Sequence, residues 1–168
     1  MTNNNLIIIK NKHTLKFDDF YFECSIGKKG ITNKKIEGDN KTPKGLFKLG
    51  SIYYRPDRVK KLKSKIMFKK IKSNMGWCND IKDKKNYNKL INLKKNFKGE
   101  KLYRKDYKYN YFIPILYNTK KRILGKGSAI FLHLTKNYKG TVGCVALKKK
   151  DFLILIKLIN KNTKIKIY

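Results

Sequence analysis

Residues 125–147 read GKGSAIFLHLTKNYKGTVGCVAL. Ser128 to Leu134 (SAIFLHL) is an apolar run behind a Gly-Lys-Gly turn, the composition of a strand, and Tyr111 to Tyr117 (YFIPILY) is its hairpin-like partner upstream. His133 then falls near a strand end. Lys139-Gly140 opens a second turn, and Thr141-Val142-Gly143-Cys144 bends the chain ahead of a helix. Asp151 is placed to N-cap FLILIKLIN, whose length and near-continuous apolarity predict a buried helix. The period-two tail from Thr163 to Tyr168 reads as a last strand.

The chain before this stretch is also β-prone. Leu6 to Lys10, His13 to Phe17 and Tyr21 to Ile26 are short runs separated by Asn-Lys and Asp-Asp pairs, which predicts an antiparallel meander. Gly38-Asp39-Asn40 and Thr42-Pro43-Lys44-Gly45 punctuate the chain before Leu46 to Tyr54, which reads as one strand with Gly50 as a bulge. Residues 59–110 lack clear periodicity and predict long connections with short strands, of the kind that wall a site. The fold class is therefore mostly β with a minor α component, one helix lying in the C-terminal region. No repeat or linker divides the chain, so residues 1–168 are expected to form a single domain.

Composition bounds the function. The chain carries 43 Lys+Arg against 11 Asp+Glu, a formal charge of +32, which suits a polyanionic partner. Nearly all of that charge is Lys, however, with Arg only at positions 55, 58, 104 and 122. Base readout relies on the bidentate Arg fork, and no nucleic-acid motif is present, so nucleic acid is not expected as the main partner. Cys24, Cys78 and Cys144 are too few and too widely spaced for a disulfide framework or a paired zinc site. Free thiols, no metal and no cofactor are expected. The start MTNNNLIIIK lacks the 7–15-residue apolar core of a secretory signal, and no apolar run reaches the roughly 20 residues of a membrane span.

Chemistry concentrates on Cys144. Glycine beside a cysteine lets the backbone bend sharply and lets a substrate carbonyl approach the sulfur with neighbouring N–H groups free to face it. A free thiol of pKa about 8.5 needs a base or nearby positive charge to react at neutral pH. His133 and nearby lysines are the candidates. An isolated Cys is more often a small buried hydrophobe, which is the expectation for Cys24 and Cys78, and a lone Trp such as Trp77 is expected to pack in the core or a wall. Arg55 and Arg58 suit either a substrate carboxylate or a structural pair with Asp57 or Asp80.

Three segments in order, GDNKTPKGLFKLGSIYYRPDR (38–58), GWCND (76–80) and residues 125–147, closely resemble the L,D-transpeptidase catalytic domain, also called YkuD-like. The shared elements are Thr42, Pro43, Gly45 and Phe47, then His133, then Thr141, Gly143 and Cys144. The resemblance implies an L,D-transpeptidase-like β-sandwich in which Cys144 is the nucleophile and His133 the proton donor and acceptor. Gly143 and Thr141 would support the oxyanion and the loop. It implies peptidoglycan stem peptides as partners, monomeric action, and work in the bacterial cell envelope or periplasm, although the visible N-terminus also fits a cytoplasmic protein. Leu134 and Ala146 depart from the Gly and Arg common in the family, which puts substrate anchoring by that Arg in doubt. The alternatives are an L,D-carboxypeptidase, in which water resolves the same acyl-enzyme, and a non-catalytic basic protein that binds nucleic acid or cell wall.

Overall fold

The computed structural model describes residues 5–93 and 99–168. The strands are Leu6–Ile9 (β1), Thr14–Phe17 (β2), Phe20–Glu23 (β3), Ile31–Thr32 (β4), Thr42–Pro43 (β5), Gly45–Lys48 (β6), Ile52–Tyr54 (β7) and Phe68–Lys70 (β8). Met75–Trp77 (β9), Leu90–Asn92 (β10), Glu100–Lys101 (β11), Tyr111–Pro114 (β12), Phe131–Thr135 (β13) and Val145–Lys148 (β14) follow, then the helix Lys149–Leu158 (α1) and Lys164–Ile167 (β15). The irregular stretch 59–110 includes residues 94–98, which lie outside the described residues.

Two five-stranded sheets carry the fold, ordered β3-β2-β1-β15-β6 and β14-β13-β12-β7-β8. Their inner faces share one aliphatic core. Ile7, Ile9, Leu15, Phe17 and Ile165 come from the first sheet, Ile52, Ile113, Leu132, Leu134, Val145 and Leu147 from the second, and Phe152, Leu155 and Ile156 from α1. The alternation of side chains along each strand aims these residues inward, and each full burial contributes about 1.5–3 kcal/mol. This is the expected β-sandwich with one helix.

The meander β1-β2-β3 and the antiparallel pair β12-β13 form as the sequence predicts. Four details differ. Leu46 to Tyr54 is not one bulged strand: it breaks after Lys48, and β6 pairs with β15 while β7 pairs with β12, so the segment crosses between sheets at Gly50. Its apolar residues are continuous because both halves are packed, which hides the break from periodicity. His133 is central in β13, third of its five residues. The segment after Cys144 is not a turn into the helix but the parallel strand β14, which runs into α1 without a loop. Lys148 therefore occupies the N-cap position, and Asp151 sits in the first turn, where its carboxylate still opposes the helix dipole.

Candidate active site

The register of β13 and β14 places the two singled-out residues. His133 stands opposite Ala146, and Leu132 opposite Val145. Leu132, Leu134, Val145 and Leu147 face the aliphatic core, so Phe131, His133 and Ala146 face the other way. Cys144, two residues before Ala146, joins that second face against a separate aromatic cluster of Tyr53, Trp77, Tyr109, Phe112 and Phe131. Trp77 packs edge-on to Phe131 as wall material.

The bend before Cys144 is laced on both sides. Thr141 donates its N–H to Ile26 O at 2.8 Å, and Lys28 donates its own to Thr141 O at 2.9 Å. The Thr141 hydroxyl donates to Cys144 O at 2.6 Å and accepts the Gly143 N–H at 3.1 Å, so Thr141 holds the loop and makes no bond to His133. Gly143 adopts φ of 143°, a conformation that favours glycine. Its carbonyl accepts the hydroxyl of Thr42 at 2.8 Å, and Thr42 accepts the Gly27 N–H at 2.8 Å. The Thr-Pro element thus serves as a strut beneath the Cys144 loop. With the Gly143 N–H engaged, the Cys144 N–H is left as the unpartnered donor beside the sulfur among the described residues.

Cys144 is 9% exposed and His133 7%. The Cys144 Sγ donates to Ala129 O and accepts the Phe131 N–H, both at 3.3 Å. Burial pushes the thiol up to about 12, with Glu100 adding to the rise and Phe131 N–H, Lys35 and Arg104 opposing it. Burial also drives His133 down to about 4, against the raising effect of its bond to Leu134 O. That bond, Nδ1 to Leu134 O at 2.9 Å, fixes the tautomer: a carbonyl only accepts, so Nδ1 carries the proton and Nε2 presents a lone pair. The resting pair is a neutral thiol and a neutral imidazole, facing one cavity without a hydrogen bond between them.

That cavity is about 780 Å³ and is lined by His133, Thr141, Gly143 and Cys144 together with both signs of charge. Lys28, Lys108 and Lys139 are exposed at its rim, and Arg104, Glu37 and Glu100 also line it. Glu100 accepts the Tyr109 hydroxyl, and burial raises its carboxyl. Glu37 accepts Tyr87 at 2.6 Å and Ser128 at 2.7 Å. Arg55 lies elsewhere, paired with Asp57 through two bonds, and Arg58 donates to Asp106 O. Cys24 and Cys78 are buried free thiols. No group of three His, Cys, Asp or Glu side chains placed to hold a metal occurs among the described residues.

The bracing residues escaped sequence reading. Asn88 accepts Trp77 Nε1–H at 2.9 Å and Ala129 N–H at 3.1 Å, and donates to the carbonyls of Tyr117 and Asn118. It thereby holds Ala129 at φ of 51°, unusual for a residue with a Cβ, with its carbonyl on the Cys144 thiol. Nothing in a single sequence says that an Asn eleven residues after a Trp will bond to it.

The family description of the L,D-transpeptidase catalytic domain matches residues 2–167. The chain belongs to that family. The structure of Bd1075 from Bdellovibrio bacteriovorus superposes with a TM-score of 0.51 at 16% identity, covering 97% of this chain and 47% of that one, which is a likeness of fold. An L,D-transpeptidase from Mycobacterium smegmatis gives a TM-score of 0.43 at 11% identity, over 97% of this chain and 58% of that one. This L,D-transpeptidase domain therefore spans about half the length of the solved proteins it matches. Among curated proteins, none matches its sequence.

Proposed function

We propose that this L,D-transpeptidase domain is a cysteine acyltransferase acting on peptidoglycan stem peptides. The observation that carries the reading is the shared face of β13 and β14. It turns the Cys144 thiol and the His133 imidazole, with Nε2 unprotonated, into one cavity beside a free Cys144 N–H.

His133 Nε2 takes the Cys144 proton as the sulfur adds to the carbonyl after the third stem residue, and the carbonyl π pair moves onto oxygen. The Cys144 N–H donates to that oxyanion. The C–N bond then breaks, and the departing terminal amino acid takes the proton held by His133. The product is a thioester on Cys144. An amine acceptor resolves it to a cross-link, and water resolves it to a trimmed stem. Lysines at the cavity rim raise the local concentration of carboxylate-bearing stems, an effect that fades as salt rises. The substrate implies a cell-envelope site of action.

Intact-mass analysis after incubation with a carbapenem tests the chemistry. One acyl mass is expected on the wild type and none on Cys144→Ala, with Cys24→Ala and Cys78→Ala acylated as the wild type. An adduct that survives Cys144→Ala, or a wild type that takes none, would sink the proposal. Incubation with a disaccharide-tetrapeptide, with and without a D-amino acid acceptor, then separates transfer from hydrolysis by the mass of the product.

A further inference from the structure

Lys35 is 4% exposed, a burial that lysine tolerates only when its charge is paired. Its ammonium binds Asp39 and donates to Ile36 O at 3.0 Å, which leaves its third N–H without an acceptor among the described residues. Asp39 is fixed from behind by the N–H groups of Ile36 at 2.9 Å and Lys41 at 2.8 Å. The carboxylate is therefore a tether that holds the ammonium in one place.

The path of the side chain shows what it is held against. A Cβ on Gly127 would come within 2.7 Å of Lys35 Cγ, and a Cβ on Gly143 would sit 3.7 Å from Lys35 Nζ. Two glycines at positive φ, 94° and 143°, leave a channel for the stem and deliver the ammonium to the peptide that precedes Cys144. Lys35 lines the same cavity as Cys144 and His133. The other cations there are arranged differently: Lys28, Lys108 and Lys139 are exposed, and Arg104 is a third exposed and held by Asp106 through three short contacts.

We propose that Lys35 is the cation of the acyl-transfer centre, its free N–H meeting the negative charge that forms on the Cys144 sulfur and on the substrate carbonyl oxygen. The inference rests on the acyl-transfer reading of the site. It fills a need which that reading leaves open, because the Gly143 N–H is committed to Thr141 and burial disfavours the charged imidazole that forms when His133 takes the Cys144 proton. Lys35 gives up no proton. Its ammonium donates hydrogen bonds through both steps, while the transferred proton passes from Cys144 to His133 and on to the leaving amine.

The test compares Lys35→Met and Lys35→Arg with the wild type in three measurements: Cys144 alkylation by iodoacetamide at pH 9 followed by peptide mass, carbapenem acylation rate, and Tm. Lys35→Met is expected to slow alkylation about tenfold, the change one pKa unit makes in thiolate fraction. Acylation should slow roughly 10²–10³-fold, the range for one lost oxyanion donor. Lys35→Arg, which keeps the charge, should recover most of the alkylation rate. Wild-type alkylation in Lys35→Met would overturn the proposal, as would equal losses in both variants that follow a common fall in Tm. Iodoacetamide carries no carboxylate and a carbapenem does, so slowed carbapenem acylation with alkylation unchanged would assign Lys35 to substrate anchoring and overturn it too. Lys35→Gln, neutral but able to bond Ile36 O, takes the place of Lys35→Met if that variant does not fold. A wild type that alkylates at Cys144 yet takes no carbapenem strikes the acyl-transfer reading, while the alkylation comparison still decides Lys35.

Discussion

The β13-β14 pair has two faces with opposite characters. On one, Leu132, Leu134, Val145 and Leu147 are packed in the aliphatic core between the sheets and α1. On the other, Phe131, His133, Cys144 and Ala146 meet aromatic rings, a cavity and charged groups. One residue step along either strand passes from stability to chemistry. The lesson is that the candidate site is the reverse side of the core: side chains that line the cavity share a backbone with side chains packed in the aliphatic interior.

Substitutions on the two faces should therefore separate activity from stability. The largest effect is expected from Cys144→Ala, which removes all acylation while leaving the denaturant midpoint near that of the wild type. His133→Gln should slow acylation about 10²–10⁴-fold, the usual worth of a general base, with the fold retained as judged by circular dichroism. Leu132→Ala should do the reverse, costing about 2–5 kcal/mol in urea unfolding while the folded fraction keeps its specific activity. Loss of specific activity in Leu132→Ala at full folding would break the comparison.

Acid sharpens it further. His133 is held at about 4 in the fold against 6.5 for an ordinary histidine, so between those values the unfolded chain binds a proton that the folded chain refuses. Stability from this group is complete above pH 6.5 and falls as pH drops toward 4, by on the order of 3 kcal/mol. Urea titrations at stepped pH should show that loss, and His133→Gln should lessen it. Smallest of all, Thr42→Val should cost about 1–3 kcal/mol by unpairing the buried Gly27 N–H and Gly143 carbonyl, with a modest drop in acylation rate.

The sequence made some parts of this fold far easier to read than others. The meander, the β12-β13 pair and the last strand follow from short apolar runs and their turn residues. Cys144 and His133 stood out as candidates because the segments that resemble the family carry them. Strand β14 was not, since four residues between a bend and a helix offer too little periodicity to separate strand from helix start. Lys35 and Asn88 were hidden for a different reason. Each meets a neighbour distant in sequence, Lys35 lying beside a glycine 108 positions later and Asn88 bonding Ala129 41 positions later, and in a chain crowded with Lys and Asn neither residue type stands out.

Strand β15 lies between β1 and β6, parallel to the first and antiparallel to the second. Without residues 164–167, β1 and β6 would each face the gap with an unpaired edge, because no other described segment stands between them. Closure of that sheet, and with it the sandwich core it shares with the second sheet, hangs on this one strand.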